Sequence, residues 1–179
     1  SGRSIQTADI VLEKTGQKAV HLKTDWRLRE FNFGTYEGDL NHTMWTDIAK
    51  SQGKTLEEWQ AAGISPKDFA NSVAALDKGR DPEGLNWPAE DYETITKRLK
   101  AGIDEIAKES ARKGGGNVLI VSHGLSITAL VNTLDPELNV PAGLKNASVT
   151  KVIYKNGKYE IKEVGDMSFV ELGQKLGGK

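Results

Sequence analysis

The chain has 179 residues, enough to bury a sizeable core within one domain. Its 24 Lys and Arg against 25 Asp and Glu give a net charge of −1, which removes any general attraction for nucleic acid or an anionic membrane and confines an anion site to a local patch. The absence of cysteine excludes disulfides, thiolate zinc sites and a cysteine nucleophile, and no apolar run approaches the ~20 residues of a membrane helix.

In chain order, Ile5, Ala8, Val11 and Leu12 follow helical spacing up to Gly16, a C-terminal stop. A short extended piece at Ala19–Leu22 precedes the irregular Trp26–Gly38. Asn41–Ala75 predicts several short helices broken at Gly53 and at Gly63–Pro66, with Trp45, Leu56, Trp59 and Phe69 as buried anchors. Asp77–Pro88, "DKGRDPEGLNWP", is turn-rich and predicts a loop. Tyr92, Ile95, Leu99, Ile103 and Ile106 then fall three and four apart in a charged segment, predicting one long amphipathic helix that stops at Gly114–Gly116.

In "NVLIVSHGLS" (Asn117–Ser126) four apolar residues end abruptly at Ser122, His123 and Gly124. Such a run, followed by the helical pattern of Leu125–Leu134, reads as an interior strand of a mostly parallel sheet covered on both faces. Asn156–Gly157 between the alternating runs of "VTKVIYKNGKYEIKEV" predicts a C-terminal hairpin. The expected fold is α/β, a mostly parallel central sheet flanked by helices, as one domain over 1–179 with a mostly helical insertion at about 41–88.

In open α/β sheets ligands sit at the carboxyl ends of strands, where the next helix presents its free N–H groups. His123 and Gly124 occupy that place: the histidine can donate to an anion and the glycine lets the backbone come close. A plain strand cap, with His123 bonded to a neighbouring carbonyl, accounts for this stretch equally well. The glycines of "GGGNVLIVSHG" precede the strand, where they cannot cradle a pyrophosphate, so a dinucleotide site is disfavoured.

Further stretches carry a family resemblance. "SGRSIQTADIVL" (Ser1–Leu12), "LREFNFGTYEG" (Leu28–Gly38), "VSHG" (Val121–Gly124), "NASVT" (Asn146–Thr150) and "GDMS" (Gly165–Ser168) resemble, in order and spacing, segments of the histidine phosphatase superfamily, the phosphoglycerate-mutase-like enzymes. One departure stands out. The family opens with a strand ending in Arg-His-Gly, whose histidine is the phosphorylated nucleophile, and neither His21 in "AVHLK" nor His42 in "LNHTM" matches it. The chain therefore resembles a family domain lacking its first strand.

The resemblance implies the following site. Arg3 binds the phosphate, and its planar fork suits two phosphate oxygens. His123 and Gly124 bind the phosphoryl group, with His123 stabilising charge during transfer. Glu30 protonates the leaving alcohol, which requires partial burial to raise its pKa. Glu37 competes with Glu30 but fits a turn-closing role, and Glu90 fits a helix N-terminus better than chemistry. Trp45, Trp59 and Trp87 are core residues or line a substrate pocket roofed by the insertion. No metal or cofactor is implied. The expected activity is a cytoplasmic phosphatase hydrolysing phosphomonoesters through a phosphohistidine, with "LREFNFGTYEG" closer to that branch; the chain alone is expected to be inactive, because the nucleophile is absent. A phosphoglycerate mutase and a non-catalytic phosphate-binding module are the alternatives. The expected partners are a small phosphorylated substrate, no nucleic acid and no membrane. The missing strand would also leave a gap that another segment or a strand-swapped copy in a homo-oligomer fills.

Overall fold

The computed structural model describes residues 2–17, 19–140 and 143–177. Helix α1 (Gly2–Thr15) follows the expected spacing and ends where Gly16 turns to a φ of +66°. Only Ala8 on it is buried, so α1 lies lightly on the domain. Ala19–Leu22 forms no strand, and Val20 and Leu22 face solvent.

The next region folds as three helices broken at the expected glycines: α2 (Asn41–Ser51), α3 (Leu56–Ala61) and α4 (Pro66–Arg80). A capping box starts α3, in which the Glu58 N–H donates to Thr55 Oγ1 at 3.2 Å and the Thr55 N–H donates to Glu58 Oε2 at 2.8 Å. Ser65 caps α4 ahead of Pro66. The loop expected from Asp77 begins later, because Asp77–Arg80 complete α4. Tertiary bonds to Asp77 override the turn preference of the Asp-Lys-Gly run.

Helix α5 (Tyr92–Arg112) is capped by Asp91, whose Oδ1 accepts from the Thr94 N–H at 2.8 Å. It packs on α6 (Gly124–Leu134), and Ile48, Val73, Ile95, Leu99 and Ala129 form the centre of the core between α2, α4, α5 and α6. Among the described residues no helix is long and apolar enough to cross a membrane.

The sheet departs from expectation. The described ladder is a two-stranded antiparallel hairpin, β1 (Val149–Lys155) and β2 (Lys158–Asp166), turning at Asn156 and Gly157 with φ of +53° and +77°. Both central residues have the positive φ that a two-residue hairpin turn requires. Helix α7 (Ser168–Gly177) follows with no buried residue. Val118–Val121, expected as an interior parallel strand, belongs to no ladder, and Val118 and Leu119 are 53% and 67% exposed. A parallel strand needs neighbours along its edges as well as helices on its faces. The described residues offer α5 and α6 but no such neighbour, so the mostly parallel sheet is not formed.

A tight turn, Gly34–Tyr36, packs against the end of α4. Gly34 has a φ of +60°, and a Cβ added there would stand 2.2 Å from the Asp77 carboxylate. That carboxylate is buried, accepting from the Thr35 N–H and hydroxyl at 2.7 Å each and from the Ala89 N–H at 2.8 Å. Burial opposes its charge, yet the bonds from Ala89 and Thr35 prevail and hold its carboxyl below the ordinary value.

Gly34→Ala should cost about 1–2 kcal/mol for the left-handed backbone and a further ~1–3 kcal/mol for the clash. Gly84→Ala, with a φ of +65° and open space around it, should cost only the first of these. Equal losses in urea denaturation would refute the close-packing account. Because the folded pKa of Asp77 is depressed, its stabilisation is full above the unfolded value of about 3.9 and is lost as pH falls through the folded value. The stability gap between the native chain and Asp77→Asn should therefore hold from pH 7 to about 5 and shrink below about 4.

Candidate active site

The start of α6 is anchored without a sheet. Ser122 Oγ donates to the Leu28 carbonyl at 2.7 Å, tying this stretch to the short turn Trp26–Leu28. His123 follows as the N-cap of α6, with extended backbone and no side-chain capping bond. It is 6% exposed, and its Nε2 is buried without a hydrogen-bond partner. Burial pushes the imidazole below its ordinary pKa; the charge of Glu30 pulls it back up, and Arg3 pushes it further down. His123 is thus neutral at neutral pH and held between an acid and a guanidinium.

Glu30 reaches α6 from the other side of the structure. Its Oε1 accepts from the Ser126 N–H at 3.1 Å, the Ser126 hydroxyl at 3.0 Å and the Phe31 N–H at 3.1 Å. The carboxylate therefore sits on the positive end of a helix whose first N–H groups lack intrahelical partners. Next to it, Arg29 donates from Nη2 to Glu90 Oε1 at 2.8 Å, and its guanidinium lies 4.3 Å from the Trp87 ring centroid and 5.9 Å from that of Trp26. The Arg29 Nε, like His123 Nε2, is buried without a partner. Among the described residues these are the two buried side-chain nitrogens left without a partner, and such atoms mark a place where a ligand can supply one.

Arg3, Arg29 and Glu30 line one cleft of about 540 Å³, together with an apolar patch that includes Phe31, Phe33, Met44 and Trp45 and with the polar Asn32, Glu37, Asp39 and Asn41. Arg3 stands on the first turn of α1, exposed. Trp45 belongs to the cleft as a half-buried wall residue. Trp59 does not: it is a core residue, 4% exposed, beneath a separate hollow between α2, α3 and α4. Trp87 is exposed on the 81–90 loop and meets the site through Arg29. Glu37 closes its turn, accepting from the Phe33 N–H at 3.0 Å. Glu90 is no helix cap, a role Asp91 fills; it is buried, accepting from Arg98, Arg29 and the Asn32 N–H. His21 and His42 are both exposed and outside the cleft. Gly124 begins α6, and a Cβ there would meet only the Leu144 carbonyl at 3.6 Å.

Sequence reasoning missed Arg29 and Arg98. Arg98 lay three residues after Ile95 and four before Gly102, on the buried stripe of α5, so its spacing was the available signal. Arg29 had none beyond its place beside Glu30.

The profile of the histidine phosphatase superfamily (branch 1) matches residues 1–78 and 50–167 in two overlapping segments. The chain belongs to this superfamily. It is 30% identical over 162 residues to the 2,3-bisphosphoglycerate-dependent phosphoglycerate mutase of Borrelia garinii subsp. bavariensis, covering 79% of this chain and 61% of that protein. It is 29% identical to the probable phosphoglycerate mutase GpmB of Yersinia enterocolitica, over 96% of this chain and 70% of that one. The crystal structure of phosphoglycerate mutase from Bacillus anthracis str. Sterne superposes with a TM-score of 0.85 at 41% identity, covering 97% of this chain and 73% of its own. The fold is thus the α/β phosphoglycerate-mutase-like fold, with the helices and the C-terminal hairpin in place. The chain spans 61% of the length of the first of these mutases.

An anion at the α6 N-terminus favours the imidazolium, so inorganic phosphate should raise the midpoint of His123, which starts below the ordinary ~6.5. A titration of side-chain nitrogen shifts with and without phosphate reads this directly, and an unmoved His123 would place the anion elsewhere. Gly124→Ala should change stability by no more than about 0.5 kcal/mol, since neither clash nor positive φ stands in its way. Any larger loss in chemical denaturation would give this glycine a structural reason.

Proposed function

We propose that this chain forms the phosphoryl-binding and proton-donating half of a phosphoglycerate-mutase-type site, and that the whole enzyme moves a phosphoryl group on a phosphoglycerate. The observation that carries this reading is the buried, unpartnered Nε2 of His123 at the start of α6, flanked by Glu30 and within the field of Arg3. A phosphate carries close to two negative charges and three acceptor oxygens. His123 Nε2, the free N–H groups at the head of α6 and the guanidinium of Arg3 are donors of the kind that neutralise it. Glu30, fixed by Ser126, is the group that would hand a proton to the leaving oxygen after first taking one up from solvent. Among the described residues neither His21 nor His42 joins these groups, so the nucleophile belongs outside them. The mutase reading follows the names of the relatives.

Phosphomonoester hydrolysis is the second reading. The cleft favours it, because Glu30, Glu37 and Asp39 share its lining with two cations among the described residues, Arg3 and Arg29, which leaves little positive charge for a second anionic group. Val118–Val121 would in either case join a mostly parallel sheet through a strand from outside the described residues, for which the exposed Val118 and Leu119 supply the apolar face. A second copy of the chain is one source of that strand.

Inorganic phosphate titrated into the chain by calorimetry tests the site. Arg3→Ala should weaken binding about 10-fold or more, the value of one charge-assisted hydrogen bond. Unchanged affinity would remove Arg3 from the site. With a complete enzyme, 3-phosphoglycerate converted to its isomer without phosphate release supports the mutase, and release of inorganic phosphate from it supports the phosphatase.

A further inference from the structure

Arg98 stands on α5 and is 6% exposed, yet every N–H of its guanidinium has an acceptor. Nε and Nη2 donate to the two oxygens of Glu90 at 2.9 and 2.8 Å. Nη1 donates to the carbonyls of Arg27 at 2.7 Å and Arg29 at 3.0 Å, and Nη2 also donates to the carbonyl of Glu30 at 2.9 Å. Glu90 in turn grips the side chain of Arg29 at 2.8 Å and the Asn32 N–H at 3.1 Å. One buried ion pair thus holds the backbone on both sides of the Arg29–Glu30 peptide and the side chain of Arg29 as well. Three carbonyls converging on one guanidinium is more than a solitary ion pair needs for its own satisfaction. The two residues so held are the neighbours that line the cleft with opposite charge, and the Glu30 carboxylate is the group that acts on His123.

We infer that Arg98, braced by Glu90, is the positioning residue of this site: it sets where the Glu30 carboxylate stands relative to His123 and the head of α6. The inference rests on Glu30 being the acid of the proposed reaction, but its geometry is independent of the ligand. Lysine at position 98 would keep the charge and lose the fork, so it could hold one carbonyl or one carboxylate oxygen and release the others. The backbone of Leu28–Glu30 would then be held chiefly from the α6 side, by Ser122 and Ser126, while Glu90 kept the Arg29 side chain and Asn32. Glu30 would sample positions away from His123, and the imidazole would lose the anion that favours its protonated form.

The test uses the full chain carrying side-chain nitrogen-labelled histidine, titrated by NMR as wild type, Glu30→Gln, Arg98→Lys and the Glu30→Gln/Arg98→Lys double variant. Glu30→Gln should lower the His123 midpoint, because the opposing charge is gone. Arg98→Lys should lower it by at least half of that shift, while the exposed His21 and His42 stay in place. The double variant should shift no further than Glu30→Gln alone, since Arg98 acts through Glu30. A wild-type midpoint in Arg98→Lys overturns the inference, and so do shifts that add. Should Arg98→Lys fail to fold, Arg98→Gln with Glu90→Gln removes both charges of the Arg98–Glu90 pair together, at the cost of the Arg29–Glu90 ion pair. Loss of the fold there too would make the pair a support of the domain and not of the site, which also overturns the inference. Phosphate binding, measured separately, decides the functional reading: a chain that binds no phosphate yet shows the Arg98 effect keeps the positioning role and loses the phosphoryl site.

Discussion

A guanidinium that has left water must be satisfied at every N–H, and in this fold that demand is met by Arg98. Burying an ion pair costs several kcal/mol per ion before its contacts repay it, and removal of one partner alone typically costs ~3–5 kcal/mol. Arg98 is repaid by Glu90 and by three backbone carbonyls, so the irregular segment around Leu28–Phe31 is placed by α5 as firmly as a strand in a sheet would be. The approach depends on Gly102, four residues further along the same face. A Cβ there would come within 3.1 Å of Leu28 and 3.3 Å of Arg27, pushing the Trp26–Leu28 turn off the helix. A small residue and a large charged one on adjacent turns of α5 thus cooperate to bring a loop to a helix.

The same arrangement explains how the site keeps its shape although Val118–Val121 belongs to no ladder. In a doubly covered sheet the strand end would be fixed by its neighbours. Here Ser122 is bonded to the Leu28 carbonyl and Ser126 to the Arg29 carbonyl and to Glu30, so the stretch that carries His123 hangs from side-chain hydrogen bonds. Helix α6 then fixes the rest through its packing on α5. Preorganisation around His123 and Glu30 comes from helices and one ion pair.

The helices were legible because their signals are local: a glycine stop after α1, the breaks at Gly53 and Gly63–Pro66, and the apolar spacing of α5 all lie within one turn of the residues they govern. So was the hairpin, since Asn156–Gly157 encodes the positive φ that its turn uses. The interior strand forms no ladder among the described residues, because an apolar run states only that a residue prefers burial, while pairing requires a partner strand. Asp77 and Glu90 were misread for a related reason. Each carries a local preference, for a turn and for a helix start, and each is held instead by partners far along the chain: Thr35 for Asp77, and Arg29 with Asn32 for Glu90. Arg3, Glu30, Gly124 and His123 were singled out by resemblance and lie around one helix start. Trp59 was named with them and belongs to the core, because aromatic identity alone does not distinguish a pocket wall from a packed interior.

The protonation of His123 connects this geometry to chemistry. An imidazole buried beside a guanidinium is kept neutral, and a neutral ring in that place is short of an acceptor at Nε2. A phosphoryl group would supply both the acceptor and the negative charge that favours the imidazolium, so the electrostatic response grows with the charge on the group bound. Interactions that strengthen as charge builds in the transition state are the ones that accelerate transfer, whereas equal grip on substrate and transition state does not. Glu30 works in the same sense as that group and against burial and Arg3. Bonded to the helix start through Oε1, it offsets part of the fall that burial and Arg3 impose on the proton affinity of His123. The separation between the Glu30 carboxylate and the ring decides how much of that bias survives, so whatever fixes Glu30 also sets the charge state of His123.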